Sequence, residues 1–176
     1  MAIAVGHTFK KEITIEPLPT ATSHELDPTF AYAFAERCAA YNAKRAYERA
    51  LADCDKAIEL DPKNALTYNS RCWNRAVVGE LQRALADCNE ALKLDSRAAT
   101  ALDSRGFTYL KLGEYDKAIA DHDAALMVDP HSVDSFYGRG VAKLKKGDSR
   151  GGNSDIASAK TIKPDIAEDF VAYGVK

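Results

Sequence analysis

Asp121-His122-Asp123 sets two carboxylates around an imidazole, the side-chain types that bind a divalent cation or relay a proton. On a helix, consecutive side chains point about 100° apart, so these three cannot meet on one ion. The other histidines, His7, His24 and His131, have no serine or cysteine at a nucleophile spacing, and no phosphate loop or nucleophile elbow occurs. Four cysteines are present without a CxxC pair, so the usual zinc and redox patterns are missing. Cys38 and Cys72, like Cys54 and Cys88, are 34 residues apart, which gives them equivalent positions where helices approach closely. They are read as reduced thiols. A disulfide between neighbouring sites stays open, and thiol counting under denaturant decides it. The expectation is a protein without catalytic residues, metal or cofactor.

The charges that do repeat are Arg37, Arg71, Arg105 and Arg139, each followed by an aspartate at Asp53, Asp87, Asp121 and Asp155. A stripe of arginines could read phosphates, but matched aspartates would cancel its field. An internal ion-pair ladder is therefore expected. If the pairs are buried, deleting one partner costs about 3 to 5 kcal/mol, whereas exposed pairs contribute about 0 to 1 kcal/mol.

The elements that position these residues follow from the same 34-residue period. Ala57, Ala91, Ala125 and Ala159 keep it, as do the small residues Cys38, Cys72, Gly106, Gly140 and the apolar Leu60, Leu94, Val128, Ile162. Such a period marks a repeat architecture. Within each unit, apolar residues recur at helical spacing in two stretches, separated in the last three units by Gly79, Gly113 and Gly147. Asp27-Pro28, Asp61-Pro62 and Asp129-Pro130 are expected to start the next helix, with aspartate as N-cap and proline at the first helical position. Unit two has Asp95-Ser96 there and keeps only the capping side chain.

The 176-residue chain is 46% hydrophobic and 28% charged, with a formal charge of -2. It is long enough to fold without staples, and its charge gives no global attraction to nucleic acid or anionic lipid. The N-terminus lacks the apolar core of a secretory signal and no run reaches transmembrane length, so the expected compartment is the cytoplasm.

Phe34, Cys38, Tyr41, Ala50, Ala57 and Pro62 in unit one, and Gly106, Tyr109, Ala118, Ala125 and Pro130 in unit three, resemble the tetratricopeptide repeat pattern. The match runs over residues 29 to 164; Arg75, Ser96, Lys143 and Gly151-Gly152 depart from it. The resemblance implies an all-α, right-handed superhelical solenoid of four helix-turn-helix repeats. The expected units are 31–64, 65–98, 99–132 and 133–164, preceded by an extended arm over 1–28. Ile166, Phe170 and Tyr173 share one helical face, so residues 165–176 read as a C-terminal capping helix over the last apolar edge.

In this family the first helix of each unit lines a concave groove. Carried onto this chain, the implied protein-binding residues are Tyr32, Leu66, Asn69, Trp73, Val77, Asp103, Phe107, Lys111, Tyr137, Val141 and Lys145. Trp73, Phe107 and Val141 form one apolar column, and aromatic anchors are efficient at interfaces. Lys111 and Lys145, with Lys143 and Lys146, make one end basic, which suits a partner with an apolar stretch and an acidic end. The lysine and asparagine clamp by which some members grip acidic chaperone tails is replaced here by Ala35, Ala39, Ser70, Thr100 and Ser104, so chaperone-tail binding is not expected. The implied function is a non-enzymatic scaffold for a protein or peptide ligand, with no nucleic acid or membrane partner. A self-associating assembly module is the alternative, and a non-catalytic domain of a larger enzyme or secretion system a third. Phe9, Ile13 and Ile15 alternate with polar residues, so the arm is expected to lie extended on the apolar groove of its own or a neighbouring chain.

Overall fold

The computed structural model describes residues 28–175; the expected arm lies outside them. Helices α1 (Pro28–Ala43), α2 (Tyr47–Leu60), α3 (Ala65–Val78), α4 (Leu81–Leu94), α5 (Ala99–Leu112), α6 (Tyr115–Val128), α7 (Val133–Lys145) and α8 (Ser149–Ile162) form four antiparallel pairs, followed by the short α9 (Ile166–Ala172). Each pair packs on the next through its second helix, and α1, α3, α5 and α7 also touch in sequence along one surface. The described chain is thus an all-α repeat solenoid, and those four first helices line its inner face. No described helix is long and apolar enough to cross a membrane.

The turns inside the pairs use left-handed residues. Gly79, Gly113 and Gly147 have φ of 92°, 77° and 90°, a conformation glycine adopts without steric cost. Unit one places Arg45 there, with φ 57°, where a side chain costs about 1 to 2 kcal/mol.

The junctions between pairs differ from expectation. Only α1 begins at its proline, Pro28. Asp61, Asp95 and Asp129 instead end the preceding helix, and their Oδ1 atoms accept from the backbone N–H of Lys63, Arg97 and His131 at 3.0–3.1 Å. These are Asx turns. The following helices start four residues later; α3 is capped by Asn64 through Thr67 N–H and α7 by Ser132 through Ser135 N–H, while α5 has Ala98 at that position and no side-chain cap.

The arginine ladder is present and extends between units. Arg37, Arg71, Arg105 and Arg139 each grip the aspartate of their own unit with Nε and Nη2, at 2.6–2.9 Å. The free Nη1 of the last three reaches back one unit to Asp55, Asn89 and Asp123 at 2.6–2.9 Å. All four receiving aspartates are buried. Two of the departures from the family pattern add a second cation: Arg75 donates to Asp87 at 2.6 Å and Lys143 to Asp155 at 2.8 Å. Burial works to raise the Asp155 pKa, but the hydrogen bonds from Arg139 and Lys143 outweigh it and hold it below the ordinary value.

The cysteines correct the reduced-thiol expectation. Cys38 is bonded to Cys54 and Cys72 to Cys88, each bridge tying the two helices of one unit. The corresponding contact in unit three is Gly106 against the His122 ring, and in unit four Gly140 against Ile156. One packing position is therefore filled by two half-cystines or by a glycine facing a larger side chain.

Candidate binding groove

Asp121, His122 and Asp123 diverge as helix geometry requires. Asp121 takes Arg105 and Asp123 takes Arg139, while His122 is fully buried and its Nδ1 lies 3.0 Å from Asp103 Oδ1. Ser135 Oγ donates to the same Asp103 oxygen at 2.6 Å and accepts from Ser132 Oγ at 2.9 Å. The serine bonds the carboxylate and not the imidazole, so the serine–histidine order of nucleophilic catalysis is not formed. The ring is held between two glycines: a Cβ would lie 2.9 Å from His122 Cε1 on Gly106 and 2.7 Å from it on Gly138. Among the described residues, no group of three histidine, cysteine or acidic side chains is arranged to hold a metal ion.

Of the residues expected to form a groove, Trp73, Val77, Phe107, Tyr137 and Val141 share one cluster, and the chain itself covers part of it. α9 does not stack beyond α8 as a cap over the last edge would; it packs on α7 and runs across the concave surface toward unit one. Phe170 lies against Tyr137 with ring centroids 4.6 Å apart and meets Phe107 edge-on at 5.7 Å. Tyr173 meets Trp73 edge-on at 5.1 Å, and Trp73 in turn lies 4.8 Å from Phe107. Val77, Val141 and Val175 border the same cluster. Phe107 is only 1% exposed, because its groove-facing side is closed by α9.

Polar contacts fix both ends of this segment. Lys111 Nζ donates to the carbonyls of Ala76, Val77 and Tyr173 at 2.8, 3.1 and 2.8 Å, thereby stitching the last turn of α3 to the end of α9. Burial lowers its pKa. Arg45 Nη2 donates to Asp169 Oδ1 at 2.7 Å, and its guanidinium lies over the Tyr173 ring at 5.4 Å. Lys163 pairs with the other Asp169 oxygen. The Lys163 hydrogen bond and then that of Arg45 hold the Asp169 carboxyl below its ordinary value.

Beyond Tyr173 the groove opens into a polar pocket of about 500 Å³ whose walls include Asn42, Asn69, Asp103, His131 and Asp134. Asn69 Oδ1 is buried there and has no donor among the described residues. The Asp134 carboxyl is pushed up to about 6 by burial and by the neighbouring Asp103. Tyr32 on α1 and Leu66 on α3 are exposed, at 65% and 70%.

The lysines do not form the basic end that their sequence positions suggest. Lys111 is turned onto carbonyls, Lys143 is held by Asp155 and the exposed Lys146 by Asp116; Lys145 is exposed and makes no ion pair among the described residues. Sequence reasoning also missed Arg45, whose signal is its place in a column of glycines at 79, 113 and 147.

Comparison with known proteins matches these features. A tetratricopeptide repeat profile matches residues 39–64, and a TPR repeat profile matches residues 108–147. No curated protein matches the sequence. Among solved structures, the first TPR of Spaghetti (RPAP3) bound to an HSP90 peptide is similar with TM-score 0.65 and 20% identity, over 71% of this chain and 99% of that one. A crystal structure of MamA is similar with TM-score 0.66 and 22% identity, over 81% of this chain and 83% of that one. The second TPR domain of human RPAP3, in complex with an HSP70 peptide, has TM-score 0.61 and 24% identity, over 66% and 98%. At these identities the likeness is one of fold. With its 34-residue period, its four helix pairs and these profile matches, the chain carries tetratricopeptide repeats.

Proposed function

We propose that this protein is a non-enzymatic scaffold that holds a peptide or short helix of another protein in its concave groove. The observation that carries this reading is α9, which already lies on the inner face as a bound segment would. Its two rings sit on Trp73, Phe107 and Tyr137, and Lys111 holds a backbone carbonyl at its end. A surface of this composition has the aromatic seat and the fixed polar contact that define an interface anchor. Val77, Val141, Leu66 and Tyr32 continue it toward solvent, and the pocket at Asn69 and Asp103 adds a polar flank. Lys145, at the expected basic end, is exposed and makes no ion pair among the described residues. The two disulfides weigh toward an oxidising compartment and against the cytoplasmic expectation.

Affinity capture with the full chain tests the groove. Bait with Phe170→Ala is compared with bait that also carries Trp73→Ala, and both are checked for equal helix content. Partners retained by the first and lost by the second support the groove; identical recovery contradicts it.

A further inference from the structure

A seven-residue helix does not persist alone in water, so α9 is helical because the groove holds it. What holds it is selective. Asp169 meets a cation, Phe170 and Tyr173 meet aromatic walls, and the Tyr173 carbonyl meets Lys111. Read along the segment, these contacts spell an acidic residue, an aromatic one, two free positions and a second aromatic one. Val171, the first of the free positions, is 68% exposed.

The cation is the telling part. Arg45 occupies the turn position that is glycine in the other three units, and it holds the same left-handed backbone that glycine adopts at no cost. A residue kept in a sparsely populated conformation points to a role for its side chain. Here that side chain leaves the turn, bonds the Asp169 carboxylate and covers the Tyr173 ring.

We propose that the concave face is the receptor for an external helical segment bearing the pattern acidic, aromatic, x, x, aromatic. In this reading α9 is its resident copy and Arg45 is the residue that reads the carboxylate. The proposal rests on the groove reading above and names the chemistry of its ligand. A partner with this pattern displaces α9 and takes over its contacts. α9 is tethered and therefore favoured by its high effective concentration, so an external segment binds the intact chain weakly and a chain with a weakened α9 strongly.

The test uses the full chain and a fluorescent peptide spanning residues 163–175, with binding read by anisotropy. Wild type is compared with Phe170→Ala/Tyr173→Ala, and with that double variant also carrying Arg45→Gly. Glycine suits the backbone at that position, so a purely structural role for Arg45 predicts no loss of binding or stability. The expected result is binding to the emptied chain at least tenfold tighter than to wild type, and a loss of about threefold to fivefold when Arg45 becomes glycine. The Asp169→Asn peptide should show the same loss on the emptied chain and none on the chain that also carries Arg45→Gly. Binding that is tight but indifferent to both changes overturns the proposed ligand chemistry while leaving the groove reading intact. Absence of peptide binding to an emptied chain of unchanged helix content overturns the proposal; the groove reading then stands or falls on the Trp73→Ala capture. A wild-type chain that dimerises with concentration, and loses this with Phe170→Ala, assigns the segment to a second copy and overturns the external partner.

Discussion

Arg45 Nη2 and Asp169 Oδ1 lie 2.7 Å apart although 124 residues separate them in the sequence, and this contact joins the first turn of the array to its last helix. Arg45 is 51% exposed, so the pair contributes about 0 to 1 kcal/mol. Asp169→Asn is therefore expected to shift the melting transition little while accelerating amide exchange over residues 166–175. The contribution is present above the ordinary carboxylate pKa and is lost as pH falls through the depressed value of Asp169. Uniform exchange across the array would show that the pair does not hold α9.

Asp87 accepts from both Arg71 and Arg75 and is 3% exposed. Asp87→Ala removes the buried carboxylate that both cations share and leaves them only the exposed Asp55 and Glu80, and a loss of about 3 kcal/mol is expected from chemical denaturation. A loss below about 1 kcal/mol would mean that water screens the ladder.

Asp134 behaves in the opposite sense. Its carboxyl titrates near 6 in the folded chain, raised by burial and then by Asp103. The folded state binds this proton more tightly than the unfolded chain, so the group's contribution to stability is present at pH below about 4 and is lost as pH rises through about 6. Asp134→Asn is expected to raise stability at pH 7 by about 1 to 2 kcal/mol, allowing for residual solvent contact, and to remove this slope. An unchanged stability–pH profile between pH 4 and 7 in the variant contradicts the assignment.

The two disulfides close loops of 16 residues. Each should contribute about 3 kcal/mol through the unfolded state. Alkylation under denaturant is expected to label no thiol before reduction and four after it, and reduction should lower the melting temperature. Four reactive thiols without reductant would return the cysteines to plain core packing.

The solenoid and its ladder were legible in the sequence because a fixed period repeats both the helix faces and the charges. The disulfides carried a readable signal that the 34-residue comparison hid. Cys38 and Cys54 follow Arg37 and Asp53 directly, and Cys72 and Cys88 follow Arg71 and Asp87, so the thiols share the 16-residue offset of the ion pairs. The Asx turns were missed because the same aspartate can cap a coming helix or close a departing one, and only the position of the first helical residue decides. The path of α9 was not legible. Ile166, Phe170 and Tyr173 announce one apolar face, but periodicity does not say which surface covers it. That choice depends on Arg45, Lys111 and Trp73, which lie 62 to 124 residues from their contacts in α9 and its C-terminal end or, for Trp73, in a different unit altogether.

Trp73 is the only tryptophan in the chain and meets Tyr173 edge-on, so its quenching by acrylamide reports directly on whether α9 fills the groove. With Phe170→Ala/Tyr173→Ala, red-shifted emission and markedly easier quenching are expected, both reversed by the 163–175 peptide. Emission and quenching equal to wild type would contradict this, because Trp73 would then not be covered by the segment that the groove is said to hold.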